Sequence, residues 1–312
     1  VPVRVSVVIR TRNRPDFVQR ALDDVAAQKF TDLEVVLVND GDGGEHLRDI
    51  AARSGVNTVR VVDTVEPRGR CRAANLGIRE SRGEYVVLHD DDDRWHPEFL
   101  SRTVERLDAD TGCAGVMTST AIVLEERDGS AWREIDRVPF WSGMERVSLT
   151  ELLEINRAVP ISFLYRRSVH DAVGWYDESL DAVEDWDFYL RVLPRFPIGF
   201  ISGPPLAYWV HRPGATQSEA NSTLGLQHEH VRDDLTVRDR ELTSWVEQNG
   251  TGLPLYLAHL QRQTVERLSE QMRTIVRDEV RRIVAEELEA RSPLGRRWRR
   301  MKRRLIRGGA DS

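Results

Sequence analysis

Through its first hundred residues the chain alternates two kinds of apolar pattern. Val3 to Ile9, Glu34 to Val38, Thr58 to Val62 and Glu84 to Leu88 are short valine-rich runs that predict strands. Between them, Pro15 to Lys29 sets Phe17, Ala21, Leu22 and Val25 on one face and predicts a helix, and a second helix is predicted near Arg70 to Ser81. Asp40-Gly41-Asp42-Gly43-Gly44 is a loop by composition. Such alternation predicts βαβ units and an α/β fold whose mainly parallel sheet is covered on both faces. Ligands of such sheets bind beyond the carboxyl ends of the strands. Three polar clusters fall there: Arg10-Thr11-Arg12-Asn13, Asn39-Asp40-Gly41 and Asp90 to Asp93.

Beyond Leu107 the pattern loosens. Ala114 to Thr118, Ala121 to Leu124, Ile161 to Arg166 and Leu206 to Val210 predict strands, the last ended by His211-Arg212-Pro213-Gly214. Arg127 to Gly143, with Trp132 and Trp141, is expected to be a loop over the site, and Glu184 to Leu193 a helix. From Leu257 to Leu288 apolar residues recur at spacings of three and four without proline or glycine, which predicts one long amphipathic helix. That helix either lies back on the body or pairs with another chain.

A chain of 312 residues, 40% hydrophobic, can bury a full core as one α/β domain or as a domain with an appendage. No apolar run approaches the roughly 18 residues of a membrane span, and the amino terminus lacks a secretory pattern. Cys71 and Cys113 are too few for a disulfide framework and lack metal-ligand spacing, so a reduced, cytoplasmic setting is expected. The net charge of −6 is uneven: residues 291–312 hold nine basic side chains and one acid, leaving the rest at about −14. A body that acidic is not expected to bind nucleic acid. Neither a glycine-rich dinucleotide fingerprint nor a Walker-type loop is present, which argues against dehydrogenase and P-loop chemistry.

The chemistry concentrates in Tyr85-Val86-Val87-Leu88-His89-Asp90-Asp91-Asp92-Asp93. Four adjacent carboxylates repel one another, and a hard cation, Mg²⁺ or Mn²⁺, would offset that repulsion while keeping positions open for phosphate. A solvated acidic turn is the bland alternative, but this run follows an apolar strand. Asp90 and Asp92 project to one side of an extended chain, and Asp92 is assigned as a direct ligand. Asp91 and Asp93 then face ribose, donor sugar or neighbouring groups.

Several segments together resemble the inverting glycosyltransferases of family 2, with the GT-A fold. Ser6 to Arg14 resembles that family's opening strand and nucleotide loop, and Glu34 to Gly41 its second strand and base-binding acid. Asn75-Leu76-Gly77-Ile78 with Gly83-Glu84-Tyr85 resembles the approach to its metal motif, and the aspartate run followed by Trp95 and Pro97 its Asp-x-Asp site. Gly174 to Glu178, then Glu184-Asp185, resembles its acceptor-side segment. Two departures stand out: Arg10-Thr11-Arg12 replaces the family's usual Pro-Thr-Tyr, and Ala74 replaces an arginine whose charge Arg68, Arg70 and Arg72 can supply.

The resemblance implies a GT-A, Rossmann-like domain over residues 1–215, with a nucleotide-binding half at 1–107 and an acceptor-side half at 108–215. A helical extension at 216–290 and a basic tail at 291–312 follow. It implies metal-dependent, inverting transfer of a sugar from a nucleoside-diphosphate sugar, with UDP or dTDP favoured, to a saccharide or lipid-linked acceptor. A sugar nucleotidyltransferase and a non-catalytic nucleotide-sugar-binding scaffold are the alternatives.

Each candidate residue carries a competing explanation. Asp185 would be the base that removes the acceptor proton, and Glu184 would orient it or meet the donor; both acids would also favour a helix amino terminus. His211 would be a third metal ligand beside Asp90 and Asp92, or a plain strand-end histidine. Asp40 would accept a hydrogen bond from base or ribose, or make only an Asp-Gly turn. Arg12 would stack on the base or meet the diphosphate, and Thr11 would touch the nucleotide or cap the next helix. Asn13, Arg70, Arg72, Asn75, Asp90 and Asp91 complete the expected donor site. The long helix suggests a homodimer, and the basic tail, with Trp298, Met301, Leu305 and Ile306 among its cations, suggests peripheral contact with the inner face of the plasma membrane.

Overall fold

A computed structural model describes residues 3–42, 44–66, 69–129, 131–215 and 227–291. Strand β1 (Val5–Thr11) is buried at every position, as an aliphatic run in the middle of a doubly covered sheet must be. Helix α1 (Pro15–Ala26) begins on a proline, whose missing N–H is no loss in a first turn, and buries Phe17, Val18, Ala21, Leu22 and Val25. Strand β2 (Leu33–Asn39) follows, then α2 (Gly44–Arg53), β3 (Val59–Asp63), α3 (Arg70–Glu80) and β4 (Tyr85–Asp90). The short β5 (Arg94–Trp95), α4 (Phe99–Ala109) and β6 (Gly115–Thr118) lead to a hairpin of β7 (Thr120–Asp128) and β8 (Ala131–Pro139). Helix α5 (Leu149–Glu154), β9 (Phe163–Arg166), α6 (Val169–Val173), α7 (Glu184–Val192), β10 (Ile198–Ile201) and β11 (Ala207–His211) complete the body. Helices α8 (Gln227–Asn249) and α9 (Gly252–Arg291) end the described chain.

Seven strands form the main sheet in the order β10-β6-β9-β4-β1-β2-β3, parallel except for β9, and β5-β11-β7-β8 form a second sheet. Alternate residues of the central strands feed two cores. Val5, Val7, Ile9, Val35 and Leu37 pack with α1 and α4 on one face, while Val8, Val36 and Val38 pack with α3 and α7 on the other. The register sets Arg10 opposite Asp90 and Thr11 opposite Asn39, which brings the three polar strand ends together.

Two strands, among other elements, differ from expectation. The segment read as a loop from Arg127 to Gly143 contains β8, an antiparallel partner of β7. Its alternating charged residues are largely exposed on an edge strand, so burial never imprinted an apolar pattern on them. Strand β10 is only four residues long and carried no clear periodic signal.

The chain divides into two compact units, Val1–Asp239 and Arg240–Ser312. The first turns of α8 therefore belong with the body, although the extension was expected from residue 216. Asp233 accepts the N–H groups of Asp181 and Ala182, Val237 is buried, and Arg238 donates to the carbonyls of Leu153 and Glu154. Residues 216–226 and, apart from Arg291, the basic tail lie outside the described residues. Among the described residues no helix is long and apolar enough to cross a membrane.

Gly77 shows how tightly α3 sits on the sheet. A Cβ there would overlap Val8 Cγ1 and lie 2.9 Å from Val38 Cγ2. Alanine would gain about 1 kcal/mol of helix propensity, but overpacking typically costs about 1–3 kcal/mol. Gly77→Ala is expected to lower the urea midpoint of the body, and an equal or higher midpoint would show that the sheet relaxes around the added methyl.

Candidate active site

A cleft of about 990 Å³ opens beyond the carboxyl ends of β1, β2 and β4. Its wall includes Thr11, Arg12, Asp40, Arg70, the four aspartates, Glu184 and Asp185.

The aspartates meet arginines. Arg10 is buried and donates from Nε and Nη2 to both oxygens of Asp90, at 2.7 and 3.3 Å. Burial would raise the Asp90 carboxyl, but the Arg10 charge outweighs it and holds the pKa down at about 2. Asp91 accepts from Thr11 Oγ1 at 2.7 Å and pairs with Arg14, yet burial, with Asp92 adding its charge, pushes it up to about 6. Asp93 is pushed up by burial and by Asp92, and accepts the Val210 N–H at 2.8 Å. Asp92 lies 3.5 Å from Arg14 Nη1 and 3.4 Å from Arg212 Nη1, and its carbonyl accepts from Arg212 Nη2 at 2.9 Å. Three guanidinium groups thus oppose the repulsion that suggested a cation.

These contacts bear on the expected metal ligands. Asp90 also lines the cleft, with both oxygens engaged by Arg10. Asp92 opens on the cleft. His211 is not in the cleft wall, but it lies near enough to Asp92 to feel its charge, and its buried Nε2 has no hydrogen-bond partner among the described residues. Burial lowers the His211 pKa, which favours the neutral imidazole that binds metals. Among the described residues no three His, Cys, Asp or Glu side chains form a metal cluster. One carboxylate and one imidazole still fit Mg²⁺ or Mn²⁺, ions commonly held by few protein ligands together with substrate phosphates.

Opposite the aspartates, Val183 adopts a left-handed backbone conformation, φ 53°, and turns the first residues of α7 into the cleft. Asp185 accepts from the Trp186 N–H at 2.8 Å and from Asn156 Nδ2 at 3.0 Å. Burial pushes its pKa up to about 7, with the neighbouring Glu184 charge adding to the effect. Glu184 accepts from Arg10 Nη1 at 3.0 Å and pairs with Arg70 Nε at 3.2 Å. It holds the arginines in place; the structure gives it no direct link to Asp185 beyond its charge.

The remaining expected residues separate into two groups. Asp40 lines the cleft while accepting from Thr64 Oγ1 at 3.0 Å and the Gly69 N–H at 2.9 Å, and Arg12 and Arg70 also line it. Asn13, Arg72 and Asn75 do not. Asn13 accepts the Asp42 N–H at 2.8 Å and ties two loops together, and Arg72 pairs with Glu178 at 3.1 Å on a more exposed face. Asn75 is buried and exchanges hydrogen bonds with both backbone groups of Tyr176, so it clamps the 174–178 segment. Helical rotation carries residues 72 and 75 away from the face that Arg70 and Ala73 turn to the cleft.

Sequence reasoning missed Arg14, Arg212, Asn156 and His230. Arg212 stood beside His211 at a predicted strand end, but its burial against Glu125 and Asp92 had no local signal. His230, on α8, lines the cleft with a buried Nε2 that lacks a hydrogen-bond partner among the described residues. Burial and Arg70 lower its pKa. No pattern around residue 230 connected it to Arg70, 160 positions earlier.

The family model described as Glycosyl transferase family 2 matches residues 6–174. The uncharacterized glycosyltransferase YwdF of Bacillus subtilis (strain 168) is 25% identical over 236 residues, 75% of this chain and 83% of the relative. Poly-beta-1,6-N-acetyl-D-glucosamine synthase of Staphylococcus aureus (strain MW2) is 24% identical over 60% of this chain and 46% of its own length. Among solved structures, S. aureus TarS 1–349 in complex with UDP-GlcNAc aligns with a TM-score of 0.53 and 21% identity, over 70% of this chain and 61% of that one. The mannosyltransferase PcManGT from Pyrobaculum calidifontis, in complex with GDP-Man and Mn²⁺, aligns with a TM-score of 0.50 and 18% identity, over 67% and 57%. The chain thus spans less than two thirds of either solved structure. At these identities the structures share its α/β fold.

The raised Asp185 carboxyl has a consequence for stability. A carboxyl whose folded pKa exceeds its unfolded one contributes stability that is complete below the unfolded value and lost as pH rises through the folded value. For Asp185 the loss runs from about 4, the ordinary carboxylate value, to about 7. The urea midpoint of Asp185→Asn is therefore expected to gain on the parent as pH is raised across this window. A difference that stays constant with pH would contradict the shift.

Proposed function

The chain belongs to glycosyl transferase family 2 and is a glycosyl-transfer enzyme, and from that premise we propose metal-dependent, inverting transfer from a nucleoside-diphosphate sugar to a hydroxyl acceptor. The observation that carries this reading is that one cleft is lined both by the aspartate run and by Asp185, a buried carboxyl with a pKa of about 7. A base works best when its pKa lies near the working pH, and Asp185 meets that requirement. Kinship with glycosyl-transfer enzymes leaves the nucleotidyltransferase and scaffold alternatives without support.

Asp185, fixed by Asn156 and the Trp186 N–H, takes the proton of the acceptor hydroxyl. The acceptor oxygen forms its bond to the anomeric carbon as the bond to the diphosphate breaks, and the diphosphate leaves with that electron pair. Arg12 and Arg70, both in the cleft wall, suit its growing negative charge. A divalent cation held by Asp92, with His211 beside it, would supply Lewis-acid stabilisation of the same leaving group. Asp40 provides an acceptor for the base or ribose. UDP or dTDP is the favoured nucleotide; the solved relative bound to UDP-GlcNAc supports this choice, and the one bound to Mn²⁺ supports the metal.

On the acceptor side Ile155, Val231 and Leu235 line the cleft while remaining 47, 65 and 60% exposed. An apolar lip of this kind suits a lipid-linked saccharide. Such an acceptor would agree with a cytoplasmic enzyme whose basic residues 291–312 rest on the inner face of the plasma membrane.

Asp92→Ala is expected to abolish Mn²⁺-dependent turnover of UDP-sugars, measured as release of UDP. Parent activity that persists undiminished in excess chelator would remove the metal from the mechanism. Asp185→Asn is expected to leave UDP binding by calorimetry close to the parent and to lower turnover by about 10²–10⁴-fold, the usual contribution of a general base. In the parent, turnover should rise with pH through about 7, as Asp185 loses its proton. A variant that loses UDP affinity but keeps its turnover number would move Asp185 into the donor site.

A further inference from the structure

We propose that α9 pairs along its length with α9 of a second copy of this chain. The helix runs for 40 residues. Along it Val265, Leu268, Met272, Val276, Val280 and Val284 follow at spacings of three, then four, and are 49 to 67% exposed. A lone surface leucine needs no explanation, but a continuous apolar seam on a charged helix does.

Three physical properties select a second copy as the occupant. The first is charge. Between Leu257 and Leu288 six arginines stand against six acidic residues, so the flanks of the seam have no net sign. Balanced flanks complement an identical helix, whereas an anionic lipid surface or a nucleic acid would select a basic one. The second is size. The exposed apolar positions from Leu257 to Leu288 span about 47 Å of helix, and a contact strip about 10 Å wide would bury about 930 Å² over two copies, the low end of specific interfaces. The third is period. The seam repeats about every 3.8 residues, longer than the 3.6 of the helix, and two copies keep such a seam in contact by a gentle right-handed supercoil. The pairing is independent of the reaction assigned to the cleft.

Full-length protein examined by size-exclusion chromatography with light scattering is expected to show twice the 35.8 kDa of one chain at micromolar concentration. Leu268→Glu/Met272→Glu/Val276→Glu should show a single chain, with UDP-sugar hydrolysis equal to the parent. A second variant guards against misfolding of the first. Met272 lies at the midpoint of α9, so in Met272→Cys the new thiol meets its counterpart in either relative orientation of the two helices. Cys71 and Cys113 are buried and do not compete. Mild oxidation should give a covalent dimer from Met272→Cys and none from Glu270→Cys on the opposite face. A parent of single-chain mass, or a dimer that survives the triple substitution, would overturn the proposal. So would a monomeric parent that sediments with phosphatidylglycerol vesicles while the triple variant does not, since lipid would then be the occupant.

Discussion

Arg10 is the interaction on which the site depends. Its guanidinium, buried at the end of β1, donates to Asp90 at the end of β4, to Glu184 at the start of α7 and to the Arg70 carbonyl at the start of α3. A charge at this depth costs several kcal/mol unless its partners are well placed. Here two carboxylates and a carbonyl surround it; burial would lower its pKa, but Asp90 and Glu184 raise it well above the ordinary value. The group therefore stays cationic and pins three separate elements to one point. The left-handed turn at Val183 immediately precedes Glu184, the first residue of α7 and the one that makes this contact.

The same network divides the labour among chemically identical side chains. Asp90, beside Arg10, is held ionised; Asp91 and Asp185, which burial penalises more than their partners compensate, titrate near 6 and 7. A carboxylate locked to a guanidinium serves structure, and one with a pKa near neutrality can exchange a proton at working pH. Glu184 also stands between these roles, since its ion pairs steady the arginines while its charge helps to raise Asp185.

Arginine occupies an unusual share of this cleft. Arg10 stands near the end of β1 and Arg12 just after it, and Arg14 and Arg212 flank Asp92. A planar cation with several donors can hold a carboxylate and also meet a phosphate, so a diphosphate entering here would compete for donors that the aspartates already engage. Arg212 is fully buried and also bonded to Glu125, so it is fixed behind the cleft wall and not part of it.

The sequence by itself determined the alternation of β1 to β4 with α1 and α3, because valine-rich runs and helical spacing are local properties that burial writes into consecutive residues. It also pointed Asp40, Asp92 and Asp185 toward one crevice, since each sits at a strand or helix end that the alternation turns there, and all three line the cleft. Tertiary structure decided what pairs with what. Asn75 and Arg72 share a segment with Arg70 but turn away from the cleft, and β8 hid its pairing behind an exposed, charged edge. Arg10 and Glu184 are 174 positions apart, and His230 reaches the cleft from a helix whose local pattern carries no trace of it. Ion pairing and burial act through space, so a side chain's partner and its pKa emerge only when distant strand ends converge.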